Sequence, residues 1–179
     1  MSSTASHKAL RIAGVQQDSI VDGPGIRYVI FTQGCPHHCP GCHNPQTHDP
    51  EGGREADVDE ILTQIGQNPL LGGVTFSGGE PFAQAEALVP VAEAVKALGK
   101  HLMIYTGYLY ETLQKMEQPG VQRLLMLTDL LVDGPFLLAE RDLTLAYRGS
   151  ANQRVIDLEK TRRRGEVTLY QSDYETLSF

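Results

Sequence analysis

Residues 73–105 read GVTFSGGEPFAQAEALVPVAEAVKALGKHLMIY, and this stretch predicts one strand–helix–strand unit. Residues 73–77 form a short apolar strand that stops at the Gly-Gly-Glu-Pro turn of residues 78–81. Residues 83–98 are rich in Ala and Glu, which favour a helix, and residues 101–105 form the next strand. Strands that alternate with helices in this way usually lie parallel in one sheet.

The same alternation continues on both sides of this unit. Residues 26–33 (IRYVIFTQ) predict a buried strand because β-branched and aromatic residues dominate them. We therefore predict the α/β class with a mainly parallel sheet, in a single domain over residues 1–179 whose first eight residues form a flexible tail. The remaining predicted elements are helices at 57–65 and 109–116, the second stopped by Pro119-Gly120, and a strand within 124–132.

Composition and charge narrow the class of partner. The chain has 179 residues and a net charge of −7, so a phosphate backbone would gain little by binding it, and we expect no nucleic acid partner. No apolar run approaches the ~20 residues that span a bilayer. The first eight residues also lack the apolar core of a signal peptide. We therefore expect a cytoplasmic protein with no membrane partner.

One basic run, KTRRR at residues 160–164, stands apart in this acidic chain. The run has two interpretations, a solvated turn or a docking patch for an acidic partner. We favour the turn.

Four unusual segments follow predicted strands. Ligands of open parallel sheets bind beyond the carboxyl ends of the strands, so we expect these segments to meet on one face. They are the cysteine loop that starts at residue 35, residues 77–81, residues 105–108 and residues 133–136.

The three cysteines all lie in the loop Cys35-Pro-His-His-Cys39-Pro-Gly-Cys42-His43. An odd number in so short a window argues against a disulfide framework. One interpretation is a structural zinc bound by the three thiolates and His43. The other is a 4Fe-4S cluster with one iron left open, since the chain has no fourth cysteine. Spacing alone leaves the two nearly equal, and the Gly-Gly-Glu-Pro turn, which a zinc site would not require, favours the cluster.

The C-x-x-x-C-x-x-C spacing followed by Ser-Gly-Gly-Glu-Pro resembles the radical S-adenosylmethionine superfamily. The segments VDGPGIR (21–27) and Cys42-His43-Asn44 resemble the activating enzymes of glycyl-radical proteins. Three later segments resemble, within that group, the activases of anaerobic (class III) ribonucleotide reductase. They are TGY (106–108), LVDGPF (131–136) and RGSANQ (148–153).

This resemblance implies a partial, open βα barrel of radical S-adenosylmethionine type and a defined chemistry. A 4Fe-4S cluster, reduced by a flavodoxin or ferredoxin, cleaves S-adenosylmethionine. The resulting 5′-deoxyadenosyl radical takes a hydrogen atom from a glycine of the partner, the large subunit of the anaerobic reductase. The protein itself supplies binding, orientation and electrostatics.

The resemblance also implies roles for individual residues. Cys35, Cys39 and Cys42 bind the cluster, and we assign no catalytic residue beyond them. We assign no roles to His37 and His38. The expected cofactor-binding residues are Gly78, Gly79 and Glu80 at the methionine amino group, with Glu80 also able to cap the next helix, His43 over the cluster or adenine, Thr106 at the ribose or methionine carboxylate, Asp133 as a polar contact, and Asn152 at the border of the site.

Three alternatives remain beside this interpretation. The first is an activase of the formate-lyase type, although such enzymes often have Asp-Thr-Asn-Gly where this chain has Tyr105-Thr106-Gly107-Tyr108. The second is a small-molecule radical enzyme of the deazaguanine type, which the RGSANQ segment disfavours. The third is a binding module that holds a structural zinc.

Overall fold

The computed structural model describes residues 9–172, so the tail predicted at residues 1–8 lies outside the described residues. Within them, the strands are β1 (Arg11–Ser19), β2 (Ile26–Thr32), β3 (Arg54–Glu55), β4 (Leu71–Gly78), β5 (His101–Tyr105), β6 (Leu130–Asp133) and β7 (Arg154–Asp157). The α-helices are α1 (Val58–Gln67), α2 (Ala85–Ala97), α3 (Tyr110–Lys115), α4 (Pro119–Leu127) and α5 (Leu158–Arg164).

The strands form one sheet in the order β3-β1-β2-β4-β5-β6-β7. The four central strands β2, β4, β5 and β6 run parallel, and each connection between them contains a helix. The outer strands pair antiparallel, β1 with β2 and β3 on one side and β7 with β6 on the other. Since β3 and β7 are the two ends of this sheet, it is open, and the predicted α/β class with a parallel centre is confirmed.

The strands β1 and β7 were not predicted. β1 (RIAGVQQDS) has a burial pattern without regular alternation, and its pairing with β2 shifts register twice, so its sequence carries no clear period of two. β7 has only four residues. Pairing with the outer parallel strands, β2 and β6, therefore stabilises β1 and β7 more than any strand pattern in their own sequences does.

The helix predicted to stop before Pro119-Gly120 does so, since α3 ends at Lys115, but the pair also begins α4, which the sequence did not predict. Proline is favoured in the first turn of a helix because the N–H it lacks would have no intrahelical partner there. Gly120 packs against α2, where a Cβ would come within 2.7 Å of the Glu86 side chain. The glycine therefore permits the close approach of the two helices.

Helices cover one face of the sheet and form its main core. Leu88, Val91 and Val95 of α2 are fully buried against Ile104 and neighbouring strand residues. Each such side chain contributes about 1.5–3 kcal/mol when it leaves water, so this face supplies most of the hydrophobic stabilisation.

The opposite face of the sheet holds the buried Arg27 and a smaller apolar cluster of Met103, Leu130 and Val132. Arg27 is 1% exposed, and its guanidinium donates to the Val74 carbonyl at 2.7 Å and the Thr75 hydroxyl at 3.1 Å. It also lies 3.1 Å from Nδ1 of His101. Burial lowers the pKa of Arg27 to about 10, with partial compensation from Asp129. The guanidinium thus connects β2 to β4 and β5 on this face of the sheet.

The basic run at residues 160–164 forms most of α5 and is a helix rather than the predicted turn. Because Asp157 pairs with Leu130, the helix starts beside the amino ends of the parallel strands, opposite the carboxyl ends. Arg163 pairs with Glu159 at 2.6 Å, and three arginines in the last turn complement the helix dipole. None of the helices in residues 9–172 has the length and apolar character needed to cross a bilayer.

Candidate cofactor site

A cavity of about 440 Å³ opens at the carboxyl ends of the parallel strands. It brings together the ends of β2, β4 and β5 with the turn that follows β6, as the four unusual segments predict. Its lining includes Asp22, Cys35, Cys39, Cys42, His43, Ser77, Gly78, Gly79, Thr106, Gly107, Gly134, Phe136, Arg148 and Gln153.

The cysteine loop leaves β2 through Gly34, whose φ of +95° favours glycine. The Gly34 N–H donates to the Thr47 carbonyl at 2.7 Å, and the Cys35 N–H donates to the His48 carbonyl at 3.2 Å. These bonds close the base of the loop. Within it, the Cys42 N–H donates to the Cys39 carbonyl at 3.1 Å, which turns the chain so that all three thiols line the cavity.

The three thiols are free and half-buried. The Asn44 N–H donates to Sγ of Cys42 at 3.4 Å, the kind of contact that tunes the potential of a thiolate-bound cluster. Burial raises the pKa of the Cys35 thiol, and the positive charge of a bound metal would favour its thiolate form. This donor set fits a thiolate-bound cluster that faces the cavity.

The glycine turn packs against the end of β2. Gly78 has φ +88°, and a Cβ there would lie 2.8 Å from Cα of Phe31. A Cβ on Gly79 would clash with the carbonyl oxygen of Gly34. The Gly79 N–H donates to the Thr32 carbonyl at 2.8 Å. The glycines therefore allow two backbones to approach each other, a reason that the sequence did not predict, while both residues also line the cavity.

Glu80 is fully buried, and both of its carboxylate oxygens accept hydrogen bonds. Oε1 accepts from the Phe82 N–H at 3.0 Å, which caps the short 3-10 helix that precedes α2. Oε2 accepts from the Gly107 N–H at 2.9 Å and lies 2.6 Å from Nε2 of His37. The Thr106 hydroxyl is within 3.0 Å of both oxygens. The predicted capping role is thus present, and the carboxylate has its partners inside the protein.

His43 and Thr106, which we expect to contact the cofactor, both line the cavity. The His43 ring packs on Phe136, with 5.0 Å between ring centroids. The Thr106 hydroxyl lies against Glu80 and accepts from the Tyr108 N–H at 3.1 Å, so its hydrogen bonds point into the protein.

Asp133 does not line the cavity, which corrects its predicted position beside the cofactor. The strand pairing sets Arg154 opposite Asp133, and the buried Asp133 carboxylate pairs with this guanidinium and accepts from the Tyr110 N–H at 2.8 Å. Those hydrogen bonds with Asp133, and others with Glu111, raise the pKa of Arg154. Asp133 therefore ties β6 to β7 and α3.

Asn152 also lies behind the cavity wall rather than on it. Its amide donates to the Pro135 carbonyl at 2.8 Å. The neighbouring Gln153 does line the cavity, where its side-chain oxygen accepts from the Gly149 N–H at 2.9 Å and its amide donates to the Gly134 carbonyl at 3.1 Å. The RGSANQ segment is thus hydrogen-bonded to the turn after β6, and Arg148, Gly149 and Gln153 are the members that line the cavity.

His37 is a site residue that sequence reasoning missed. Its side chain is 16% exposed and packs edge-on against Tyr108, with 4.5 Å between ring centroids. Its partner Glu80 lies 43 positions away in the chain, so no local pattern signals the contact.

Comparison with known proteins agrees with this geometry. Residues 21–156 match the model of a family described as "4Fe-4S single cluster domain". The anaerobic ribonucleoside-triphosphate reductase-activating protein of Escherichia coli K12 is 33% identical over 144 residues, which cover 76% of this chain and 91% of that protein. The chain belongs to the radical S-adenosylmethionine activase family.

A second relative within this family is longer. The pyruvate formate-lyase-activating enzyme of Clostridium pasteurianum is 43% identical over 106 residues, or 56% of this chain, but the chain spans only 44% of that enzyme. Among solved structures, the crystal structure of QueE from Escherichia coli matches 55% of this chain and 53% of that one, with 20% identity and a TM-score of 0.43.

Membership of the activase family makes this chain an enzyme with a 4Fe-4S cluster and S-adenosylmethionine as its cofactors. The family match also makes the cluster, and not a structural zinc, the better interpretation of the three cysteines. The free thiols and the N–H bond to Cys42 provide a donor set that suits the cluster.

Proposed function

We propose that this chain installs a glycyl radical on an anaerobic ribonucleotide reductase. The observation that carries the proposal is the similarity to the Escherichia coli activating protein, which extends over 91% of that protein's length. Cys35, Cys39 and Cys42 hold the cluster. Three thiolates would leave one iron of such a cluster for S-adenosylmethionine to bind.

When bound, the cluster and S-adenosylmethionine supply a radical able to take a hydrogen atom from a glycine of the partner. The chain's own residues bind and orient. Backbone groups of Gly78 and Gly79 receive the methionine amino group, since the carboxylate of Glu80 is already satisfied. The tilted pair of His43 and Phe136 forms an aromatic wall for the adenine.

Arg148 is the basic side chain that we assign to the carboxylate of S-adenosylmethionine. It lines the same cavity and donates one hydrogen bond, from Nη1 to the Gln153 carbonyl at 2.7 Å. A guanidinium carries five N–H donors in a planar fork, which suits a carboxylate. The side-chain oxygen of Gln153 accepts from the N–H groups of Gly149 and Ser150, which fixes the backbone next to Arg148.

The partner's glycine has to enter the cavity, because hydrogen transfer needs reacting atoms about 3–3.5 Å apart. Val21 and Leu143 line the cavity and are 69% and 75% exposed, so they offer apolar surface at its edge. We expect the electron to come from a flavodoxin or ferredoxin. We also place the reaction in the cytoplasm, where thiols stay reduced.

The experiment begins with anaerobic reconstitution of the full chain with iron and sulfide. We expect about four irons per chain, formation of 5′-deoxyadenosine on reduction, and a glycyl radical signal in electron paramagnetic resonance only when the reductase is added. The Cys39→Ala variant should lose iron and both products. Wild-type protein that binds iron but never yields 5′-deoxyadenosine would contradict the proposal.

A formate-lyase activase is the second candidate, favoured by the 43% identity to the Clostridium pasteurianum enzyme. The two candidates separate when the reconstituted protein is offered each partner in turn. A radical signal on pyruvate formate-lyase and none on the reductase would select the second candidate. Turnover of a small molecule with neither partner would select the deazaguanine type.

A further inference from the structure

The base and the tip of the cysteine loop are held in different ways. At the base, Gly34 joins the loop to the glycine turn, because its carbonyl accepts from the Glu80 N–H at 2.8 Å. In the tip, residues 36–41, most residues are exposed. His37 is the residue of the tip whose side chain turns back to the glycine turn.

The contact between His37 and Glu80 has a defined direction. The carboxylate of Glu80 lies among donors from Phe82, Gly107 and Thr106, which is the environment of an ionised acceptor. Nε2 of His37, 2.6 Å from Oε2, is therefore the donor. A hydrogen bond to a buried charged group is stronger than one between neutral groups.

The space for the His37 ring is built by the end of β5. A side chain at Gly107 would clash with the ring, so glycine leaves this space free. Tyr108 meets the ring edge-on at 4.5 Å, and its own N–H donates to the Thr106 hydroxyl that contacts Glu80. The ring thus lies between the end of β5 and Glu80 of the glycine turn.

We propose that His37 is a positioning residue. Through Glu80 it fixes the tip of the cysteine loop against the glycine turn, and so sets where S-adenosylmethionine lies relative to the cluster. The proposal rests on the proposed function, and it assigns Glu80 to holding the loop rather than to contacting the cofactor.

The test compares histidines in the same loop. In His37→Gln, the side-chain amide can take the place of Nε2, whereas the side chain of His37→Asn is one carbon shorter and cannot reach Glu80. His38→Asn is the matched control, because His38 is exposed and its ring contacts His48 instead. Each full-length variant is reconstituted anaerobically, its iron is counted, and S-adenosylmethionine is titrated while the signal of the reduced cluster is followed by electron paramagnetic resonance.

We expect wild-type iron content in all three variants. The dissociation constant of S-adenosylmethionine should rise roughly tenfold or more in His37→Asn, as loss of a hydrogen bond to a charged group implies. It should return close to the wild-type value in His37→Gln and stay unchanged in His38→Asn. A purely structural role would lower iron content and leave the affinity of the loaded fraction unchanged.

Three results would overturn the proposal. They are a wild-type affinity in His37→Asn, failure of that variant to take up iron, and an equal loss of affinity in His37→Gln and His37→Asn. Wild-type protein that cleaves S-adenosylmethionine while His37→Asn behaves normally removes this inference alone. Wild-type protein that neither binds nor cleaves the cofactor removes the proposed function and this inference together.

Discussion

Polar side chains near the cavity differ in where their hydrogen bonds are directed. Glu80, Thr106 and Asp133 have partners inside the protein and so hold the framework of the site. Arg148 is different, because within residues 9–172 its guanidinium makes one hydrogen bond, to the Gln153 carbonyl, and the side chain lines the cavity. Of these four side chains, Arg148 is therefore the one that has N–H donors left for a ligand.

The Arg148→Ala variant should therefore bind S-adenosylmethionine roughly tenfold more weakly while it keeps its iron, because a charged hydrogen bond of about 1.5–3 kcal/mol is lost. Equilibrium titration of the reconstituted protein measures this affinity. Arg148→Lys keeps the charge but not the planar fork, so we expect an intermediate value. Arg141→Ala is the control, since Arg141 is exposed and outside the lining. Equal affinities in the alanine variants would refute the assignment.

At the scale of single elements, the turn between β4 and α2 joins the fold to the site. Its glycines let the turn lie against the end of β2, and its Glu80 reaches the end of β5. Three strands of the sheet therefore depend on one four-residue segment. This dependence explains why the same turn serves both packing and the cavity.

Substitution of two glycines separates packing from conformation. Gly79→Ala should destabilise the fold by at least about 1–3 kcal/mol, as overpacking does, because its Cβ would clash with the Gly34 carbonyl. Gly66→Ala is the control. Gly66 lies in α1 with nothing within 4 Å of a Cβ, so alanine there should stabilise by about 0.5–1 kcal/mol. Urea unfolding under argon measures both values, and a Gly79→Ala variant as stable as wild type would contradict the packing.

The elements also mark how far sequence reasoning reaches. The apolar strands β2, β4 and β5 and the helix α2 were predicted because each carries its own periodic or propensity signal. The antiparallel strand β7 carries none, so the partner of Asp133 was not predicted. Without β7 there was no reason to expect Arg154 opposite that carboxylate.

The site likewise has features that the sequence predicted and features that it did not. Its motifs were predicted to converge because the carboxyl ends of parallel strands share an edge. The contact between His37 and Glu80 was not predicted, since it depends on how the loop folds over β5. Local chemistry identifies the residues of a site, whereas long-range packing decides which of them reach the ligand.

For the molecule as a whole, the groups at the carboxyl ends and at the amino ends of the parallel strands have different roles. The carboxyl end presents thiols and a cavity, whereas the amino end holds charges that stabilise the fold. There, Lys96 pairs with Asp129 at 2.5 Å, and Asp129 also accepts from the Leu102 N–H at 2.8 Å. His101 lies beside this group, with its Nδ1 facing the buried Arg27. The stability of the fold should therefore respond to pH at this end.

Burial and the nearby Arg27 lower the pKa of His101 to about 4, against the opposing effect of Asp129. In the unfolded chain a histidine has a pKa of about 6.5, so between about pH 6.5 and 4 the unfolded state binds the extra proton. The contribution of His101 to stability is therefore present above pH 6.5 and is lost as the pH falls towards 4. The slope reaches at most about 1.4 kcal/mol per pH unit, and partial exposure of the ring reduces it.

Replacement of His101 by asparagine isolates this contribution, because the amide oxygen can still accept from Arg27 but does not titrate. We expect wild type and His101→Asn to show parallel stability between about pH 7 and 8. Below about pH 6.5 the free energy of unfolding of wild type should fall more steeply with pH. The extra slope corresponds to at most about one proton that the unfolded state binds and the folded state does not. Urea unfolding across this range measures the difference, in which the carboxylates common to both proteins cancel. Identical slopes in the two proteins would mean that His101 takes up its proton over the same pH range in the folded and unfolded states, and that Arg27 does not hold it neutral.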